Sequence, residues 1–183
     1  MFRYSLVTGM VAAFIIATPA IAAQTAHLHG EGQVNIAIEG DQVFMMLESP
    51  GADIVGFEHE ARSSDEKQAV AKAIEQLGNP GMVLRLDPAA NCKVSKASAQ
   101  IKGEHDEHDE HDEHDEHAGE EAHGSFVAEY EFTCANIGSL EALDFVYFTH
   151  FANAQSLNIV LIDSSGQRQL EVDRANPEFR LEQ

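Results

Sequence analysis

The stretch QVNIAIEGDQVFMMLES (Gln33–Ser49) decides how this chain is read. Val34, Ile36 and Ile38 alternate with polar residues, the period-2 pattern of a strand that buries one face. Gly40-Asp41 supplies a turn, and Val43 to Leu47 returns as a second strand. Pro50-Gly51 ends the hairpin. A β-hairpin is therefore the first element of the folded part, and the rest is placed around it.

Downstream, Ser63-Ser64-Asp65-Glu66 is an S-x-x-E capping box, the start signal of a helix. Val70, Ala73, Ile74 and Leu77 then share one helical face, Gly78 suits the C′ position, and Pro80 prevents continuation. Met82 to Leu86 reads as a short strand. Cys92 to Lys102 and Ser125 to Cys134 read as two strands of a long hairpin. In the second, Phe126, Ala128, Tyr130 and Phe132 share a face with Cys134, and Val94 shares one with Cys92. Leu140 to Phe151 is read as helical. Leu157 to Ile162 and Gln167 to Val172 form a last hairpin around Ser164-Ser165-Gly166, and Phe179 to Leu181 adds an edge strand. The fold class expected is α+β: a single antiparallel, β-sheet-rich domain with one or two helices. Each half reads as strands, helix, strands, a pseudo-repeat of element order that residue identities do not carry.

Upstream, Arg3 is followed by an apolar stretch from Leu6 to Ala17, too short to span a bilayer, and by small residues at Ala20-Ile21-Ala22-Ala23. Residues 1–22 are expected to be a signal peptide, and residues 23–183 a soluble, exported domain. No Cys stands at the junction, so no lipid anchor is expected. In an oxidising compartment the two cysteines, Cys92 and Cys134, are expected to pair. Loop entropy then gives about 4 kcal/mol of stabilisation. The rival reading is a pair of metal thiolates, set against by their separation.

Between the two hairpin strands lies EHDEHDEHDEHDEHAGEE (Glu104–Glu121). His105, His108, His111, His114 and His117 recur every third residue, and His123 follows. Imidazole is the commonest metal ligand and carboxylate a common co-ligand. The run has almost no apolar residues, so it cannot form a core and is expected to be a disordered loop at about 103–124. In an extended polyproline-II-like chain all five His align, while helical spacing would fan them around the axis. Zn²⁺ takes about four ligands, so the tract suits one or two ions. A solvated acidic spacer is the bland alternative.

Other histidines extend the reading. His27 and His29, in Ala26-His27-Leu28-His29-Gly30, point the same way if extended, with Gly30 and Gly32 allowing the backbone to turn. The alternative is a frayed polar terminus. His59 lies between Glu58 and Glu60, which are positioned to ligate or orient it; otherwise it is a surface histidine before a helix cap. His150, among Tyr147, Phe148 and Phe151, is expected to be packed rather than ligating.

The formal charge is −20, or −21 without Arg3. The tract and its flank hold 11 acids, leaving 20 acids against 10 bases in the rest of the mature chain. That balance argues against nucleic acid and anionic membrane partners and for attraction of cations. No H-E-x-x-H, G-x-S-x-G or phosphate-binding glycine loop is present, so no enzyme is expected.

Taken in order, His27, His29 and Gly30, the strand at Val34, Ser49-Pro50, Gly56-Phe57-Glu58-His59, the helix, Asn91-Cys92, the His/Asp/Glu tract, Glu129 to Cys134 and a terminal hairpin resemble the ZrgA-like family of zinc-regulated periplasmic proteins. The likeness covers essentially the whole mature chain. It implies a periplasmic zinc-binding protein of Gram-negative bacteria, made under zinc limitation and working beside a zinc ABC importer and its periplasmic binding protein. Importer binding proteins carry similar His-rich loops but are longer and two-lobed, so an accessory role is expected. Two alternatives stay open: a buffer or sensor for nickel or copper, and a zinc-dependent hydrolase using His27, His29, Glu58, His59 and Glu60.

Overall fold

The computed structural model describes residues 29–102 and 124–181. The expected signal peptide at 1–22, His27, the tract histidines His105, His108, His111, His114 and His117, and His123 lie outside the described residues.

Strands β1 (Glu31–Glu39) and β2 (Gln42–Pro50) form the expected hairpin, with Val34 opposite Leu47 and Ile36 opposite Met45. The alternation does what the sequence implies: Val34, Ile36, Val43, Met45 and Leu47 are buried on one face. Strands β4 (Cys92–Lys102) and β5 (Ser125–Cys134) pair along their whole length, and β5 docks antiparallel on β2. Phe126, Ala128, Tyr130 and Phe132 join the same buried face with Cys134, while Val94 on the outer strand is exposed. Cys92 stands opposite Cys134 in the register, and the two are disulfide-bonded.

The last hairpin, β7 (Ser156–Asp163) and β8 (Gly166–Asp173), completes a six-stranded sheet in the order β4-β5-β2-β1-β7-β8. The antiparallel expectation holds for the other pairings and is corrected at one, because β7 lies parallel to β1. The cause is local. The carbonyl of Gly30, at the start of β1, accepts from the N–H groups of both Gln155 and Ser156 at 2.8 and 2.9 Å. Both strands therefore start from the same end.

Helix α1 (Gly51–Ile54) is a single turn directly after β2. Helix α2 (Ser64–Leu77) begins at a complete capping box: the Ser63 hydroxyl accepts from the Glu66 N–H, and the Glu66 carboxylate accepts from the Ser63 N–H. It buries Ala73 and Leu77, and the Tyr130 hydroxyl donates to the Leu77 carbonyl at 2.6 Å, fastening the helix end to β5.

Further expectations are corrected. Met82 to Leu86 is a 3₁₀ turn (Pro80–Met82) followed by a two-residue strand, β3 (Arg85–Leu86). Leu140 to Phe151 is not one helix: it holds β6 (Ala142–Asp144) and the short helix α3 (Tyr147–His150), giving three helices in all among the described residues. Strand β6 pairs with β3 and with β9 (Glu178–Arg180) in a second sheet, ordered β3-β6-β9. Pairing on both edges holds residues 142–144 extended, and tertiary contacts of this kind override local propensity. Phe145, Tyr147, Phe148 and Phe151 from this segment join the core. His150 is exposed at the end of α3, not packed.

The outward face of the large sheet carries a shallow apolar groove lined by Phe44, Met46, Val160 and Ile162, with Glu129 and Glu131 beside it. It contains no histidine. The described histidines, His150 aside, gather instead at one end of the sheet.

Candidate metal centre

That end is where β1 starts, β2 stops and β5 begins. Its backbone is tied by glycines. The Gly51 N–H donates to the Gly124 carbonyl at 2.9 Å, and the Gly124 N–H donates to the Glu58 carbonyl at 3.0 Å. A Cβ on Gly51 would lie 2.5 Å from the Phe57 carbonyl oxygen and 2.9 Å from that of Gly124, so only glycine permits the approach. Gly30 sits at φ +90°, left-handed backbone that turns its N–H into the same region.

Three side chains lie within electrostatic reach of one another there. His29 Nε2 lies 3.1 Å from Glu58 Oε1, with the imidazole 70% exposed and the carboxylate largely buried. Asp53, on α1, is 2% exposed. Its Oδ1 accepts from the Gly30 N–H at 2.7 Å, while its Oδ2 makes no hydrogen bond. Burial pushes the Asp53 carboxyl up, the Gly30 N–H and His29 pull it down, and the Glu58 charge pushes it up again. Behind it, the buried Tyr147 hydroxyl lies 2.8 Å from Ser49 Oγ, and burial, with a smaller push from Asp53, raises that phenol. One imidazole beside two carboxylates is a donor set that suits a borderline divalent cation.

His59 is directed elsewhere. The His59 ring stacks on Phe57 with centroids 4.9 Å apart, its Nδ1 lies 3.0 Å from the Glu60 carbonyl oxygen, and its Nε2 lies 3.9 Å from Glu66 Oε1. His29 and His59 thus flank Glu58 but reach different carboxylates. Among the described residues, no three His, Cys, Asp or Glu side chains stand in ready ligating geometry. The thiolate alternative is closed, since Cys92 and Cys134 are bonded to each other.

Sequence reasoning missed Asp53. Its one signal was a lone charge in the otherwise apolar Pro50-Gly51-Ala52-Asp53-Ile54-Val55.

Among the described residues no helix is long and apolar enough to cross a membrane. No curated protein matches the chain. A family model does: that of the ZrgA family zinc uptake protein matches residues 26–181, from just before His27 to the end of the last strand. The family is described by zinc uptake and not by a reaction. With the match covering nearly its whole length, the chain belongs to the ZrgA family of zinc uptake proteins.

Proposed function

We propose that the protein is a periplasmic zinc-binding accessory protein. It captures Zn²⁺ under zinc limitation and passes it to the periplasmic binding protein of a zinc ABC importer. The observation that carries this reading is the His29–Glu58 contact at 3.1 Å, beside the buried Asp53, at the end of the sheet where the His/Asp/Glu tract joins the fold. Lys102 and Ser125, the last described partners of the β4–β5 pairing, both contact Glu48, at 3.3 and 3.1 Å. The tract's two attachment points are thereby held together next to the site.

Division of labour follows from the chemistry. The repeated His and carboxylates of the tract offer many exchangeable ligands in solvent, and the folded site offers fewer, better-fixed ones. Zinc moves between such sites by ligand exchange, one donor at a time. Imidazole must be neutral to ligate, so protons compete, and capture weakens as pH falls below about 6.5.

Zinc titration calorimetry on the full mature chain, on a variant lacking residues 104–123 and on His29→Ala tests the reading. The deletion lowers the stoichiometry and leaves at least one ion bound; His29→Ala removes that folded-site ion. Unchanged stoichiometry in both variants overturns it. Transfer is tested by mixing the zinc-loaded protein with the metal-free importer binding protein and measuring where the metal resides.

A further inference from the structure

We infer that Asp53 is a metal ligand, the buried anchor of a His29–Asp53–Glu58 zinc site. The inference rests on the zinc-binding reading and names the residue that fixes its folded site.

The two oxygens of Asp53 are unlike. Oδ1 is occupied by the Gly30 N–H at 2.7 Å; Oδ2 is buried and has no hydrogen-bond partner. A buried carboxylate oxygen left unpaired is costly, and native structures pair nearly all such atoms with protein, water or an ion. A carboxylate with one oxygen fixed by a backbone donor and the other free is how a metal-ligating carboxylate is oriented from behind. The residue that donates is the neighbour of His29, so the same contact fixes the start of β1, from which the imidazole projects. His29 already touches Glu58, and both bear electrostatically on Asp53. A divalent cation would offset the negative charge that Glu58 adds beside Asp53 and would satisfy Oδ2.

The three donors are not in ligating register as they stand. His29 is the group that must move. It is largely exposed, and its rotation toward Oδ2 needs no change in the core. Asp53 and Glu58 are held by backbone contacts at Gly30 and Gly124.

The competing account makes Asp53 a structural brace for the Gly30 N–H alone. That brace needs only Oδ1, and Asn supplies the same oxygen. Asp53→Asn therefore separates the two roles in the full mature chain. Expected is a metal-free protein that melts no lower than wild type. Its Zn²⁺-induced rise in melting temperature is lost, and its folded-site zinc affinity, measured against a competing chelator, falls at least tenfold. His29→Ala loses the same rise. If Asp53→Asn keeps the wild-type rise and affinity while His29→Ala loses them, Asp53 is only a brace and the inference is overturned, with the zinc reading intact. If the wild-type protein itself binds no zinc, the functional reading fails and takes this one with it.

A second measurement needs no Asp53 variant to fold. The chain has no Trp, so its near-ultraviolet absorbance comes chiefly from tyrosine. Tyr147 lies within electrostatic reach of Asp53. Neutralising Asp53 with Zn²⁺ should shift the wild-type tyrosine absorbance, and Tyr147→Phe should abolish the shift. Zinc binding to the wild-type folded site with no such change would overturn the inference.

Discussion

The two ends of the six-stranded sheet are held by different means. At one end the chain is closed. The Cys92–Cys134 disulfide joins β4 to β5, the Cys134 N–H donates to the Asp41 carbonyl in the β1–β2 turn at 2.8 Å, and Arg168 pairs with Asp163 across the β7–β8 turn. At the other end an exposed histidine leans on a carboxylate, and a buried carboxylate oxygen has no partner. The first end spends most of its polar groups on structure, although Arg168 Nε is buried there without a hydrogen-bond partner, and the second places an imidazole beside two carboxylates. Strained or unsatisfied groups of this kind are where function concentrates, because folding alone gives no reason to keep them.

The disulfide also lies away from the tract's attachment points at Lys102 and Ser125. A hairpin tied at Cys92 and Cys134 would be expected to brace the His-rich segment, but Cys134 and Ser125 stand at opposite ends of the ten-residue β5, about 30 Å apart at strand rise. What braces the tract's attachment points is Glu48, with Lys102 and Ser125. Removing the bond should therefore cost stability without touching the proposed metal site. Cys92→Ser combined with Cys134→Ser is expected to lose about 2–5 kcal/mol in urea unfolding. Zinc affinity, measured where the variant remains folded, should be unchanged; an affinity that falls along with stability would show that the two ends are coupled.

Arg174 sharpens the comparison from the other side. Its guanidinium donates to the carbonyls of Phe148, Phe151, Ala152 and Ala154, at 2.7 to 2.8 Å, and so shapes the loop that leads into β7. That loop delivers the Gln155 and Ser156 N–H groups to Gly30, one residue from His29. Arg174→Ala is expected to cost about 2 kcal/mol, since hydrogen bonds from a charged donor are the stronger kind. Unlike the cysteine variant, it should weaken zinc binding too. Parallel measurements of unfolding and zinc affinity on the two variants decide whether the ends are independent.

These differences bear on what residues alone can reveal. The hairpin at 33–49 was readable because a half-buried strand must alternate, and so was helix α2, because its cap is a local pattern. Strand direction was not: period 2 is the same for parallel and antiparallel neighbours, so the β1–β7 pairing left no trace. Residues 140–151 misled for a different reason. Phe145, Val146, Tyr147 and Phe148 are all buried, which erases any period and leaves helix and strand indistinguishable. Asp53 was invisible because its partner is a backbone N–H 23 residues away, and patterns built on side-chain types do not register backbone donors. His59 looked like a ligand for its place beside Glu58. The structure turns the two neighbours to different partners, Glu58 to His29 and His59 to Glu66 of the helix cap.

The cap supplies the finest test. Two backbone N–H groups, those of Arg62 and Ser63, donate to Glu66 Oε2 at 2.8 Å and hold its carboxyl below the usual carboxylate range. A group with a lowered folded pKa contributes stability that is present above its unfolded value, 4.5, and is lost as pH falls through the lowered one. Acid should therefore erode α2 in the wild type and do so less in Glu66→Gln, as followed by far-ultraviolet circular dichroism between neutral pH and the acid transition. Ser63→Ala should cost about 1 kcal/mol at neutral pH. Neither change is expected to alter zinc affinity, because the cap's histidine, His59, turns its Nε2 toward Glu66 and not toward His29. If Ser63→Ala or His59→Ala weakens zinc binding as much as His29→Ala does, then His59 is a ligand after all. The metal site would then extend from the sheet end to the helix cap, and the sharp division between a structural end and a binding end would fail at that residue.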